Sequence, residues 1–304
     1  MEMKRQVLRM VSLSPWKAVR ALRLVVSRVV DADETMRRRL FHLSDAMSRE
    51  KSFEAWNEHF DTNEIVHAFT ETSHGTCVGF QLWRWSEHLS APKEKTQILW
   101  GGKLRIAPEM RGYGLNLVMN LVALHDGHTE VGDDEQMQKN EQKEKKEDDI
   151  STKVYRVGLV NVHGFSTLFD AIPGLRVAPF DGDDEMKMRV APVLNEMVRA
   201  NGFTLGSRAG RVDVGQRSPY SPDEFDESWW ARPGVEAFRI ASPGAALTRE
   251  ETLSRENDVF CCFEATDSNL EHMRIAAEKK LHRAAHKSSF PHRTPHTSTT
   301  IPGS

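Results

Sequence analysis

An arginine and two glycines stand where a strand gives way to a helix, in "GGKLRIAPEMRGYGLNLVMNLVALHDG" at 101–127. Arg111, Gly112, Tyr113 and Gly114 are the residues whose types and spacing could do chemistry. The first N–H groups of a helix have no partner within it, and the helix dipole adds partial positive charge there. Such a terminus binds phosphate readily. Glycine lets the backbone approach a ligand with no Cβ in the way, and Arg111 can add a charge-assisted contact. The chemistry is that of an anion site, best suited to a pyrophosphate spanning several consecutive N–H groups.

Two phosphate-binding signatures are excluded. "GYGLNL" lacks the third glycine of the dinucleotide fingerprint, and no Gly-Lys-Ser/Thr follows a four-residue gap as a P-loop requires. Other reactive residues carry less. His282 and His286 are spaced i, i+4, as are His292 and His296, like metal ligands. No cysteine or carboxylate partner stands nearby, so a basic helix running into a tail is the better reading, and no metal is expected. Cys261 and Cys262 fit a buried strand better than a redox pair. Trp83, Trp85 and Trp100 suit an acceptor pocket or a core equally.

The elements that must position the turn follow from periodicity. "ALRLVVSRVV" (21–30) reads as a strand. A helix follows, with Asp31 and Asp33 near its N-cap and Met36, Leu40 and Leu43 on one face. A second, shorter helix covers 51–60. "EIVHAFTET" and "TCVGFQLWRW", separated by "SHG", predict a hairpin. The strand "TQILWGGKLRI" (96–106) contains Gly101 and Gly102, a pair that predicts a bulge or a close backbone approach. "LNLVMNLVALHDG" is apolar around most of its circumference, so it should be well buried, with Gly127 as its C-cap. A charged run at 128–152 reads as a solvated, disordered insertion. "KVYRVGLV" (153–160) is a strand, "FSTLFDAIPGL" a short helix stopped by Pro173 and Gly174, and 258–287 a strand, turn and amphipathic helix. Residues 200–250 read as a long connector, and 288–304 as a disordered tail.

Bulk properties set the frame. The chain has 304 residues and a formal net charge of -3, which gives no general electrostatic case for nucleic acid. No apolar run approaches the roughly 20 residues of a membrane-spanning helix. Three cysteines cannot make a disulfide framework, which points to a reducing, cytoplasmic setting. Residues 1–19 form a basic leader, whose charge balance also fits an organelle transit peptide.

With the strand, turn and helix in this order, "LRIAPEMRGYGLN" resembles the acyl-CoA-binding motif of the GCN5-related N-acetyltransferase (GNAT) superfamily. Asn161, followed by "STLFDAIPGL", resembles that family's ending, and the resemblance covers about residues 20–180. It implies an α/β fold: a mixed, mostly antiparallel twisted sheet flanked by helices, binding acetyl-CoA and passing its acetyl group to a primary amine. Leu104, Arg105 and Ile106 would offer backbone groups to the pantetheine arm. Arg111, Gly112, Tyr113, Gly114, Leu115 and Asn116 would wrap the pyrophosphate, Asn116 replacing the family's Gly or Ala, and Asn161 would complete the cofactor set. The Leu104 N–H would polarise the acetyl carbonyl. Glu71 or Glu87 would serve as base, since Gly101 and Gly102 stand where an acid is expected. Phe169 occupies the place of the usual acidic tyrosine, leaving Tyr155 or His163 to replace it. A "PYSP" segment at 219–222 and the unit at 258–287 also resemble a histidine N-acetyltransferase-like branch, in which residues 181–287 would carry a partial second half. A different class of function is also open: a CoA-binding or protein-interaction module without turnover, suggested by Gly102 and Phe169.

Overall fold

The computed structural model describes residues 22–48, 50–71, 75–91, 94–129, 151–160, 162–177, 204–205, 211–213, 227–236 and 258–286, with isolated positions 188, 191 and 195. The leader, most of the charged run, Asn161, most of the connector and the tail with His292 and His296 lie outside the described residues.

Strand β1 (Leu22–Arg28) leads through a 3-10 turn into α1 (Glu34–Ser48) and α2 (Phe53–Asp61). Asp33 accepts a hydrogen bond from the Met36 N–H at 2.7 Å, capping α1 as expected, and Ser52 caps α2 by accepting from the Ala55 N–H. The predicted hairpin is present as β2 (Ile65–Glu71) and β3 (Cys77–Ala91), and β4 (Glu94–Ile106) pairs antiparallel with β3. Helix α3 (Leu115–Thr129) carries the chain across to β5 (Ser151–Val160), the crossover that a parallel β4–β5 pair requires. Gly127 lies inside α3, which runs two residues beyond it. The predicted C-cap is therefore corrected: a single glycine inside a helix is tolerated.

Helix α4 (Val162–Ala171) ends ahead of the predicted Pro173–Gly174 stop, and Gly174 has φ of 69°. Among its described residues the connector includes two short strands, β6 (Thr204–Leu205) and β7 (Arg211–Asp213), and the short helix α5 (Glu227–Trp230). Strand β8 (Asp258–Glu264) and α6 (Asp267–His286) close the described chain. All the described strands join one sheet in the order β1-β2-β3-β4-β5-β8-β7-β6, antiparallel except for β4–β5. The expected fold class, a mixed and mostly antiparallel sheet flanked by helices, is what the structure shows. In the C-terminal region, residues 258–286 form one strand and one helix. There β8 pairs directly with β5, and α6 packs on α3 and α4.

The two sheet faces bury separate clusters. Leu40 of α1 and Trp56 and Phe60 of α2 pack on Val66, Ala68, Phe80 and Leu82, with Met36 and Leu43 at the margin. On the other face α3, α4 and α6 pack over Phe69, Trp83, Leu99, Val154 and Phe263. Helix α3 is buried nearly all round, as its sequence predicts, and α6 contributes Leu270, Met273, Ala277 and Leu281, spaced for one helical face.

Candidate functional site

The site begins where β4 and β5 part. Their last paired residues are Gly101 and Gly158, although β4 continues to Ile106. Both glycines make room for one side chain: a Cβ on Gly101 would lie 2.5 Å from Arg156 Cζ, and one on Gly158 2.5 Å from its Nη1. The buried Arg156 guanidinium donates to Asn120 Oδ1 at 2.8 Å and to the Val157 carbonyl, and lies 5.1 Å from the Trp83 ring centroid. The close approach predicted from the glycine pair is thus real, and so is the bulge. Trp83 pairs with Gly101 and Gln81 with Leu104, so Leu82 faces two residues, Gly102 and Lys103.

Beyond the bulge, β4 has an open side. The Ala107 N–H donates to the Val78 carbonyl at 2.9 Å, which makes 107 and 78 a hydrogen-bonded pair. Hydrogen-bonded and non-hydrogen-bonded pairs alternate along an antiparallel ladder. Leu104, paired with Gln81, and Ile106, paired with Gly79, therefore turn their N–H and C=O groups away from β3. Two guanidinium groups reach those carbonyls: Arg105 Nη1 donates to Leu104 O at 2.9 Å, and Arg111 Nε donates to Ile106 O at 3.3 Å. The two N–H groups face the gap, with no strand opposite them among the described residues.

The open edge runs into the glycine turn. Pro108–Met110 form a 3-10 turn, Gly112 and Gly114 have φ of 81° and 84°, and α3 starts at Leu115. Side chains other than glycine rarely adopt such φ values. Asn116 already lies in the helix, so the tight backbone position falls on Gly114 rather than on Asn116. A Cβ there would lie 3.1 Å from Lys280 Cβ. Strand edge and turn share one cleft of about 480 Å³, lined on this side by Leu104, Ile106, Arg111, Gly114 and Asn116. Tyr113 packs partly buried against the core, and Arg105 turns to the opposite face, where it donates to Ser48 Oγ at 2.9 Å.

Four further residues complete the cleft: Thr167 and Asp170 of α4, Arg232 and Lys280. Asp170 pairs with Arg232 and accepts from the Gly234 N–H at 2.6 Å. Burial, reinforced by the Arg232 charge and opposed by Asp170, holds the Lys280 ammonium below its ordinary range. No motif marks these residues, because they reach the turn from segments far along the chain.

The catalytic side chains expected from the resemblance are not brought together. Tyr155 is buried and pairs with Ile98, six residues before Leu104 on β4, on the order of 20 Å away along the strand. Glu71 ends β2, two strands from β4 and four residues past the level of Leu104, on the order of 15 Å off. Glu87 pairs with Gln97, toward the far end of the β3–β4 hairpin. Phe169 is a core residue, and His163 falls within α4. Trp83 is also core. His282 is exposed near the end of α6, Cys262 is buried, and no metal-binding group of side chains is found among the described residues.

On the α1–α2 face of the bulge lies a group of charges that sequence reasoning missed. Lys103 Nζ donates to Glu50 Oε1 at 2.6 Å, with side chains only 5% and 13% exposed, and Ser44 also donates to that carboxylate. Burial and the Arg105 charge, against the pull of Glu50, lower the Lys103 pKa to about 8. Burial raises the Glu50 pKa, but its bonds to Lys103 and Ser44 outweigh that and hold it below the usual value. Burial, with Lys103 and Arg105 nearby, lowers His59 to about 4.

No family model matches this chain, and no curated protein matches it. Among solved structures, a Trypanosoma brucei acetyltransferase is similar at 13% identity over 35% of this chain and 75% of its own, with a TM-score of 0.27. The NatC complex bound to Gag peptide and CoA is similar at 10% identity over 80% of this chain and 99% of its own, with a TM-score of 0.32.

Proposed function

We propose that this chain is a GNAT-type N-acetyltransferase that passes an acetyl group from acetyl-CoA to a primary amine. One observation supports it above the others: the outward N–H groups of Leu104 and Ile106 run directly into the glycine turn at the start of α3, within a single cleft. An amide-bearing arm that ends in a pyrophosphate matches both halves. The strand edge donates to the amide carbonyls of the arm, and Arg111 with the N–H groups of Leu115 and Asn116 receives the phosphates.

In this reading the Leu104 N–H donates to the acetyl carbonyl oxygen and holds the negative charge that develops when the amine attacks. A carbon–nitrogen bond forms, the carbon–sulfur bond breaks, and the proton lost by nitrogen passes to solvent. The thiolate takes its proton from solvent in turn. No side-chain base is assigned. The cleft's carboxylate, Asp170, is held by Arg232 and the Gly234 N–H. Catalysis then rests on orientation and carbonyl polarisation.

A second reading, a CoA-binding module without turnover, is favoured by Phe169, a core side chain where the family carries an acidic tyrosine. One assay separates the two: thiol release from acetyl-CoA with a panel of amines, including amino acids such as histidine and peptides with free N-termini. Amine-dependent release is expected for the enzyme, and Arg111→Ala should raise the KM for acetyl-CoA about tenfold while changing kcat little. Binding of acetyl-CoA without release for any amine would leave the binding module as the correct reading.

A further inference from the structure

The cleft takes two of its cations from chain outside the strand–turn–helix unit. Lys280 stands on α6, the last helix described, and Arg232 follows α5. Helix α6 is seated by Leu270, Met273, Ala277 and Leu281 on the core that α3 helps to form. The same packing brings the Lys280 stem onto Gly114, where a Cβ would meet Lys280 Cβ at 3.1 Å and the Ala277 carbonyl oxygen at 3.8 Å. Gly114 therefore serves two ends: it permits the left-handed turn and lets α6 come close enough for Lys280 to line the cleft.

Charge in the cleft is lopsided. Among the described residues, Arg111, Arg232 and Lys280 line it against a single carboxylate, Asp170. Asp170 is engaged by Arg232 and the Gly234 N–H. No ion pair with Lys280 is formed among the described residues. A half-buried ammonium beside an arginine is unfavourable until an anion joins it, and burial with the Arg232 charge already depresses its proton affinity. The remainder of α6 is balanced differently: Arg274 pairs with Glu271 and Glu278 on its own helix, a solvated network away from the cleft.

We infer that Lys280, with Arg232 beside it, is a phosphate-binding cation of the cosubstrate site, so that the C-terminal β8–α6 unit is part of the binding machinery and not an appendage. The ligand class is a phosphorylated pantetheine thioester, held between the α3 N-terminus on one side and α6 on the other. This rests on the CoA reading proposed above and assigns to it residues that lie outside the motif.

The test is isothermal titration of the full chain with CoA and, separately, with pantetheine, which has the arm but no phosphate. Lys280→Met should weaken CoA binding about tenfold, leave pantetheine binding within about twofold, and be partly restored in Lys280→Arg. Lys279→Met, an exposed neighbour on the same helix, should bind CoA like the parent chain. If Lys280→Met binds CoA as tightly as the parent, the inference is overturned. Equal losses for CoA and pantetheine overturn it as well, since the lysine would then merely support the fold. A parent chain that binds neither ligand refutes the CoA reading itself, a result distinct from both.

Discussion

Replacing Gly112 and Gly114 by alanine, one at a time, separates backbone strain from helix seating. The two residues have nearly the same φ, 81° and 84°. An L-residue in that region costs about 1–2 kcal/mol, so this part of the loss should be common to both variants. Their surroundings differ. A Cβ on Gly112 meets nothing within 4 Å, whereas one on Gly114 lies 3.1 Å from Lys280 Cβ. Carbon atoms pack best at about 3.5–4.0 Å. A Cβ cannot rotate away as a side-chain tip can, so α6 must retreat by a few tenths of an ångström. Overpacking of that kind adds about 1 kcal/mol or more. Gly112→Ala should therefore cost about 1–2 kcal/mol and Gly114→Ala about 2–4 kcal/mol. Urea unfolding of the two variants beside the parent measures the difference, with titration of CoA as a second readout. Gly114→Ala should also bind CoA more weakly than Gly112→Ala, because Lys280 moves with α6. Equal stability losses would refute the claim that α6 is seated on the turn, and a neutral Gly112→Ala would refute the left-handed geometry.

Two more predictions concern the two faces of the β3–β4 bulge. Gly101→Ala should displace the Arg156 guanidinium from Asn120 and the Trp83 ring and cost about 2 kcal/mol or more, read as a lower Tm with secondary structure retained. His59, with its pKa lowered from 6.5 to about 4, is neutral in the folded chain where the unfolded chain is already protonated. The unfolded state then binds more protons, so stability should fall as pH drops from about 6.5 to about 4, by at most about 3 kcal/mol. The slope should shrink in His59→Phe; an unchanged pH profile for that variant would contradict the assignment.

Local chemistry made much of the frame legible. The β2–β3 hairpin, the cap at Asp33 and the all-round apolar pattern of α3 each depend on neighbours within a few residues. Gly101 and Gly102 predict a bulge or a close approach, and the structure contains both. The partner in that approach, Arg156, was not legible, because a parallel register between β4 and β5 brings it there across an intervening helix. Gly127 misled because a glycine near a charged run looks like a stop, while the helix continues to Thr129. Lys280 and Arg232 lay beyond reach for a similar reason: an amphipathic helix shows which face is buried, not which turn it will cover. Tyr155 and Glu71 fit the chemistry by residue type and sequence proximity, but strand register sets them on the order of 15–20 Å from Leu104.

The central claim is that the open side of β4 and the turn at the start of α3 hold one ligand between them. Hydrogen exchange of the intact chain with and without saturating acetyl-CoA tests it most directly. The account predicts that exchange slows about tenfold or more at the Leu104 and Ile106 amides and across 111–117, with little change along β1 at the far edge of the sheet. Unchanged exchange at Leu104 and Ile106 would contradict it, whether or not acetyl-CoA protects residues elsewhere.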